Sequence, residues 1–202
     1  PEMVFLKNRN DAKFWRVTCT GLAQGEDLKL EQNIAKASVT NGTVDLTTST
    51  SSLLNLKAGS GATPTKNVNE GTDNYILYCW HSVEGFSKIG QYAGHSNTLS
   101  ATDGAFIYCG FKPRWVMIKA LTRAEPWMIF DSELNAHNPS NIHLRANETS
   151  TSTTYGEGID IVSNGFKVRA GASIGEAAND FLYMAFAENP FGGENAPPAT
   201  AR

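Results

Sequence analysis

Ser173 lies in the segment Gly171-Ala-Ser-Ile-Gly175, which matches the G-x-S-x-G pattern of a serine nucleophile on a turn between a strand and a helix. Such a serine is activated by a histidine and oriented by an acidic residue, and in hydrolases with this motif both partners follow the serine in the chain. Every histidine here precedes it: His81, His95, His137 and His143. We therefore interpret the motif as a glycine-rich turn and predict no nucleophilic role for Ser173.

Acidic residues near Trp127 suggest a different reaction, because glycosidases use two carboxyl groups that face one cleft. Three candidates occur there: Glu125, Asp131 and Glu133. They fall in a predicted turn, at the end of a predicted strand and in a loop, where acidic side chains are commonly only solvated. His137 and His143 match no zinc-ligand spacing. The sequence therefore predicts no catalytic residue, no metal and no cofactor, and we expect the protein not to be an enzyme.

Aromatic residues make up 10% of the chain. An exposed tryptophan or tyrosine can stack on the apolar face of a sugar while a nearby polar side chain binds its hydroxyl groups. We select three candidates for sugar stacking: Tyr92, Trp115 and Tyr155. Trp15 and Trp127 occupy equivalent places in an internal repeat, so we expect both to pack in the core instead.

The charge distribution argues against two classes of partner. The chain has 17 Lys and Arg against 20 Asp and Glu, a net charge of −3, and its basic residues are scattered. Because phosphate-binding surfaces need clustered basic residues, we expect no nucleic-acid binding. No run of about 18 apolar residues occurs, so we expect no membrane insertion.

Three cysteines, Cys19, Cys79 and Cys109, cannot all pair in disulfides, and none forms a C-x-x-C motif. We expect reduced thiols, with Cys79 and Cys109 packing as small apolar side chains inside strands. This pattern is typical of a protein that folds in a reducing cytoplasm.

Two diverged copies of one repeat account for most of the chain. Residues 1–7 resemble residues 113–119, and Trp15 matches Trp127 at the same offset of 112 positions. Four further blocks match in the same order at offsets between 105 and 115: residues 28–33 with 142–147, 44–46 with 159–161, 54–59 with 166–171, and 78–86 with 183–191. Six colinear blocks indicate a duplication.

We therefore expect one β domain of residues 1–191, followed by an extended tail at 192–202. Its copies are residues 1–86 and 113–191, and residues 87–112 link them. The linking segment leads into Pro113, whereas nothing equivalent precedes Pro1. We infer that the chain begins in the middle of a repeat and expect an exposed or irregular edge beside residues 1–7.

The repeat also decides between helix and strand. Residues 26–37 fit a short helix, but the matching segment 142–147 alternates and precedes a Thr- and Ser-rich stretch that disfavours helix. We predict both segments to be extended. Residues 75–83 and 181–187 are apolar on both faces, which is typical of central strands.

Two strand pairs are expected in the second half. Asn164-Gly165 predicts a type I′ turn between strands at 159–163 and 166–169. Residues 105–111 are predicted to pair with residues 115–120. About twelve short strands with polar loops favour an all-β fold, a β-sandwich or jelly-roll-like architecture.

Several of these segments together resemble one known family. They are residues 78–94, YCWHSVEGFSKIGQYAG; residues 104–119, GAFIYCGFKPRWVMIK; residues 127–131, WMIFD; residues 164–169, NGFKVR; residues 183–191, YMAFAENPF; and residues 198–202, PATAR. The chain resembles a C-terminal β-repeat domain of unassigned function that recurs in tail and fibre proteins of marine and cyanobacterial bacteriophages. The resemblance implies a virion protein assembled in the host cytoplasm, and it supplies no catalytic residues.

The resemblance leads us to expect a tail-fibre or tail-tip module that attaches to a glycan or protein receptor on the host surface. Fibre proteins are usually closed symmetric oligomers, so we expect a homotrimer that also contacts other virion proteins. The alternative is a purely architectural module, either a capsid decoration or a fibre oligomerisation domain. A glycan-degrading enzyme is disfavoured because no carboxylate pair or triad pattern is present.

Overall fold

The computed structural model describes residues 1–39, 42–57, 68–71, 73–95, 104–149, 153–170 and 172–190, with residues 153–155, 157, 170 and 172 described by their backbone alone. Its elements are antiparallel β-strands and one short helix, α1 (Ala172–Gly175), so the all-β prediction is confirmed. Within these residues, no helix has the length and apolar character needed to cross a membrane. The chain divides into two compact units, unit 1 (Pro1–His81) and unit 2 (Ser82–Arg202).

Unit 1 contains a five-stranded sheet and a separate two-stranded ribbon. Its strands are β1 (Met3–Asn8), β2 (Arg16–Cys19), β3 (Glu26–Lys29), β4 (Ala37–Ser38), β5 (Thr43–Asp45), β6 (Asn55–Lys57) and β7 (Tyr75–Trp80). The sheet order is β4-β3-β2-β1-β7, and β5 pairs with β6. Because side chains alternate along a strand, Val4 and Leu6 of β1 share one face. They pack with Val44 and Val68 in the core between the sheet and the ribbon.

Unit 2 contains one eight-stranded sheet. Its strands are β8 (Ser87–Ala93), β9 (Phe106–Tyr108), β10 (Pro113–Ala120), β11 (Met128–Asp131), β12 (Ser140–Arg145), β13 (Thr153–Val162), β14 (Gly165–Ala170) and β15 (Asp180–Ala187), in the order β8-β15-β10-β11-β12-β13-β14-β9. The sheet curls so that side chains from both of its edges meet in one core: Tyr92 of β8 packs against the cluster that includes Ile107 of β9. Ile174 of α1 is fully buried in the same core.

Within each unit the strands pair with one another, and the register of these pairs is the same in both units. β10 pairs with β11 as β1 pairs with β2, shifted by 112 positions on each strand. β13 pairs with β14 as β5 pairs with β6, shifted by 115 and 112 positions. For two blocks the structural offset differs from the offset of the sequence match. By strand pairing, residues of β12 lie 116 positions after their counterparts in β3, whereas the sequence match gives 114. Residues of β15 lie 106 positions after their counterparts in β7 over most of the strand, whereas the sequence match gives 105.

Equivalent strands do not have equivalent neighbours. β15 lies between β8 and β10, as predicted for a central strand, but β7 is the edge strand of the sheet that unit 1 forms in the described residues. The prediction for residues 75–83 is therefore wrong. Ile76 and Tyr78 are 38% and 46% exposed, whereas their counterparts Leu182 and Met184 are buried.

The hairpin of β13 and β14 forms as predicted, but its turn is not of type I′. Val162 pairs with Gly165, so the turn residues are Ser163 and Asn164, and neither Asn164 nor Gly165 has a positive φ. Glycine is needed at position 165 for another reason: a Cβ there would lie 2.0 Å from the backbone oxygen of Ile107. That contact belongs to the pairing of β9 with β14, so the predicted pairing of residues 105–111 with 115–120 is also wrong.

All three cysteines are free thiols, as expected. Cys109 is buried, and burial raises its pKa to about 12, so the thiol stays protonated and unreactive. Cys79 is exposed, contrary to the prediction, because β7 lies at the edge of its sheet.

Candidate functional site

Tyr92, the first residue proposed for sugar stacking, packs against the core of unit 2. Its hydroxyl donates a hydrogen bond to the backbone oxygen of Ile174 (2.7 Å), and its ring stacks on Phe181 with centroids 5.1 Å apart. Desolvation by burial raises the pKa of this hydroxyl well above its ordinary value. Through this hydrogen bond, Tyr92 links β8 to α1.

Trp115 lies on the opposite face of β10 from the core residues Val116 and Ile118. Its half-buried ring is 5.7 Å from the ring of Phe186, which packs 5.9 Å from the exposed Phe86. The backbone of Tyr155 belongs to β13, but its side chain lies outside the described residues.

A different set of aromatic side chains forms a row on unit 1. Trp15, Tyr78 and Trp80, which we call the aromatic row, stack in sequence with ring centroids 6.1 and 6.0 Å apart and interplanar angles of 29° and 22°. Tyr78 and Trp80 share one face of β7, because they are two positions apart on a strand. Tyr78 is 46% exposed, and the two tryptophans are half-buried. The row therefore offers a set of nearly parallel rings whose middle member is open to solvent.

A backbone clamp positions Trp15 beside the sheet. Its N–H donates to both carboxylate oxygens of Glu31 (2.9 and 3.1 Å), and its carbonyl accepts from Leu30 N–H (3.3 Å). Trp127 has the same clamp in unit 2: its N–H donates to Asn147 Oδ1 (2.8 Å), and its carbonyl accepts from Ala146 N–H (3.0 Å).

The two tryptophans nevertheless differ in burial. Trp127 is 1% exposed and packs inside, as expected, whereas Trp15 is half-buried and joins the aromatic row. The sequence did contain a signal for this row, because Tyr78 and Trp80 alternate with Cys79 along one strand. The prediction that both faces of this stretch are covered is wrong, because Tyr78 is exposed.

The acidic residues near Trp127 are held by arginines. Arg123 pairs with Glu125 (2.6 Å), and Arg114 reaches Asp131 (3.0 Å) and Glu133 (3.6 Å). These contacts give the three acids a structural role.

Ser173 lies within α1 itself, after β14. A nucleophile elbow instead places the serine on the turn that precedes a helix, and α1 is a single turn of four residues.

One cluster of acidic side chains could hold a cation. Ligand atoms of Asp11, Glu70 and Asp73 lie within 4.8 Å of one another. The ammonium of Lys13 is 3.6 Å from Asp11 and 4.0 Å from Glu70, and Asn8 donates to Asp73 (2.7 Å). A cation of the protein itself thus balances this cluster, and we assign no metal to it.

One family of known proteins matches nearly the whole chain. A family model described as Domain of unknown function (DUF7483) matches residues 1–190. The chain belongs to this family. Searches of curated proteins and of solved structures found no match. The family match covers residues of both units, and the family's description names no activity.

Proposed function

We propose that this chain is a non-catalytic attachment module of a bacteriophage tail fibre or tail tip, and that it binds a host-surface glycan through the aromatic row of unit 1. The observation that carries the proposal is the row itself, with three stacked rings about 6 Å apart, two of them on β7 and the third on the residue before β2. Flat rings cover the apolar faces of sugars, and they lose little conformational entropy when they do so.

A polar side chain also lies next to the aromatic row. The Glu31 carboxylate accepts the Trp15 N–H and holds that ring in place next to a polar group. Polar groups beside a stacking platform bind sugar hydroxyls and supply selectivity. The equivalent positions of unit 2 offer no such platform, because Met184 and Trp127 are buried.

The virion context of the proposal is supported by the resemblance of the motifs to those of bacteriophage tail and fibre proteins. In this setting the chain would act as a homotrimer in contact with other virion proteins, assembled in the host cytoplasm. Binding by several copies at once raises the strength of attachment even when each site is weak.

A glycan array with the complete chain tests the proposal. We expect binding to at least one host-surface glycan and a loss of roughly tenfold or more in affinity in Tyr78→Ala, since a removed stacking contact is worth on the order of 1 kcal/mol or more. Tyr108→Ala is the matched control: Tyr108 is 64% exposed but lies in β9 of unit 2. We expect the control to bind like the unchanged protein.

Two results would overturn the proposal. A correctly folded and assembled protein that binds no glycan would support an architectural role in the virion instead. Equal losses in Tyr78→Ala and Tyr108→Ala would show that binding does not depend on the aromatic row.

A further inference from the structure

A small cavity in unit 1 lies between the loop that joins β2 to β3 and the residues at the end of β5. Its volume is about 140 Å³. It is lined by residues 18–25 and 44–47. Thr20 and Gln24 of the loop are exposed, whereas Leu22 and Val44 are buried, so the cavity opens at the loop and has an apolar interior. An apolar cavity of about 150 Å³ holds one benzene-sized molecule, so this one has room for a single side chain.

One wall of the cavity is a polar network around Asp45. Thr47 places two donors on Asp45 Oδ1, its hydroxyl (2.6 Å) and its backbone N–H (3.0 Å). Gln24 Nε2 donates to Asp45 Oδ2 (2.8 Å). Because Gln24 and Thr47 both line the cavity, the carboxylate that they hold belongs to its wall.

The Asp45 carboxyl group is ionised at physiological pH. The hydrogen bond from the Thr47 hydroxyl, assisted by donors on Gln24 and Thr48, lowers its pKa to about 2 against the opposing effect of burial. All of these donors are neutral. Of the described residues that line the cavity, Asp45 alone carries a charge. The wall therefore has a negative charge that no other lining residue balances, and it favours a cationic ligand.

The equivalent acid of unit 2 has a cationic partner within its own unit. Strand pairing places Asp160 at the position of Asp45, and Arg169 binds Asp160. With the offset of 112 between β6 and β14, the counterpart of Arg169 is Lys57. Lys57 is exposed, and within the part of the chain that the structure describes it forms no ion pair with Asp45. Asp45 is thus available to a cation from another molecule.

An organic ammonium group fits this cavity better than a metal ion. Ca²⁺ takes six or more oxygen ligands, and among the described residues Asp45 belongs to no group of three side chains that could ligate a metal. An ammonium group needs fewer acceptors, and the carbon chain attached to it packs on apolar walls. A polyamine carries a second ammonium, for which the described lining offers no second carboxylate. One ammonium on an apolar stem is the chemistry of a lysine side chain.

We propose that this cavity binds a lysine side chain of a partner protein, with Nζ on the Asp45 carboxylate and the four-carbon stem against Leu22, Val44 and Leu46. A charge-assisted hydrogen bond to Asp45 fixes the end of the side chain, and the apolar walls cover its stem. The described lining includes no ring of the aromatic row. The inference therefore goes beyond the proposed function and does not depend on glycan binding.

The test is an NMR titration of the complete chain with three probes. They are Nα-acetyl-L-lysine N-methylamide, the same compound acetylated on Nζ, and 1,4-diaminobutane. We expect the first probe to shift the Gln24 side-chain amide and the Thr47 backbone amide, because both donate to Asp45. We expect the Nζ-acetylated probe to bind at least about tenfold more weakly, since it offers no charge to the carboxylate.

Two variants sharpen the test. Asp45→Asn removes the charge and nearly keeps the shape of the side chain, and it should weaken binding of the lysine probe by about tenfold or more. Glu133→Gln is the matched control, since it removes one negative charge from a side chain of unit 2 that is 63% exposed, and it should bind like the unchanged protein. If Asp45→Asn fails to fold, the two lysine probes on the unchanged protein decide the matter.

Three results would overturn the inference. The first is equal binding of the lysine probe and its Nζ-acetylated form, or no shift with either. The second is a shift at Thr47 that survives in folded Asp45→Asn. The third is tighter binding of 1,4-diaminobutane than of the lysine probe, which would assign the cavity to a polyamine.

Discussion

Arg16 and Asp27 form an ion pair that is almost fully buried in unit 1. Arg16 Nη1 lies 3.1 and 3.0 Å from the two carboxylate oxygens, and the side chains are 9% and 2% exposed. Desolvation by burial raises the pKa of Asp27 to about 6, against the opposing effect of Arg16. Removing both charges from water costs free energy, and their mutual attraction offsets this cost. The net contribution of the pair to the free energy of unfolding therefore depends on pH and on the presence of both side chains.

The raised pKa of Asp27 predicts a dependence of stability on pH. Between about pH 4 and 6 the folded chain holds a proton that the unfolded chain has released, so the free energy of unfolding should fall as the pH rises through this range. A shift of about two pKa units corresponds to about 3 kcal/mol. Urea unfolding at pH 4.5 and 7.5 covers most of this change, and the difference between the two pH values should shrink by about 2 kcal/mol in Asp27→Asn. An unchanged difference in that variant would contradict the assignment.

Removing one partner of this pair should cost more than removing both. We expect Asp27→Leu alone to lower the free energy of unfolding by about 3–5 kcal/mol, because the Arg16 charge is left buried. Arg16→Met combined with Asp27→Leu should be neutral or more stable by about 1–4 kcal/mol. Denaturant unfolding of the two single variants and the double variant completes the cycle. A double variant as unstable as the sum of the two single variants would show that the side chains are not coupled and would contradict this prediction.

The strands illustrate how similar elements acquire different roles. β7 and β15 are equivalent in their pairing with β1 and β10, yet among the strands that the structure describes only β15 has a further neighbour, β8, on its other side. An edge strand leaves one row of backbone groups without a ladder partner, and its side chains are less covered. The exposure of Tyr78 follows from that difference of neighbours.

The pairing of β9 with β14 depends on the glycine that begins β14. A Cβ on Gly165 would lie 2.0 Å from the Ile107 backbone oxygen, so Gly165→Ala must push β9 away and should cost about 1–3 kcal/mol. Gly156 is the matched control, since a Cβ there meets nothing within 4 Å, and we expect Gly156→Ala to be neutral or stabilising by about 0.5–1 kcal/mol.

Hydrogen exchange at the Gly104 and Cys109 amides, which donate to Val168 and Asn164, reports whether β9 stays paired. Faster exchange at both amides in Gly165→Ala is the expected result. Unchanged exchange there would show that the backbone tolerates the methyl group and that the tight approach does not hold β9 in place.

The two units differ in the size of their own cores. Among the described residues, twenty-two buried apolar side chains belong to unit 2 and ten to unit 1. Buried apolar area contributes stability in rough proportion to its extent. Local stability is therefore expected to be highest in the central strands of unit 2.

Hydrogen exchange monitored by mass spectrometry tests this expectation for the complete chain. In mild denaturant, amides of β10 and β15 should keep their protection after those of β1 and β2 have exchanged. Simultaneous loss of protection in all four strands would show that the chain unfolds as one cooperative unit.

The sequence by itself determined the class of structure. Alternating and fully apolar runs identified strands such as β15, and the turn residues before Phe166 located the hairpin of β13 and β14. These features are local, since the period of side chains along a strand and the preferences of turn residues act within a few positions. The sequence also places His81, His95, His137 and His143 before Ser173, an order that the G-x-S-x-G hydrolases do not have.

Only the tertiary structure decided which of two equivalent residues faces solvent. Trp15 and Trp127 have the same backbone clamp and are 112 positions apart, yet one joins an exposed row and the other is buried. Tyr92 is a candidate for an exposed role by sequence, but it is half-buried against the core of unit 2. Burial depends on neighbours that are distant in the chain, and a pattern of residues along one strand does not specify what covers it.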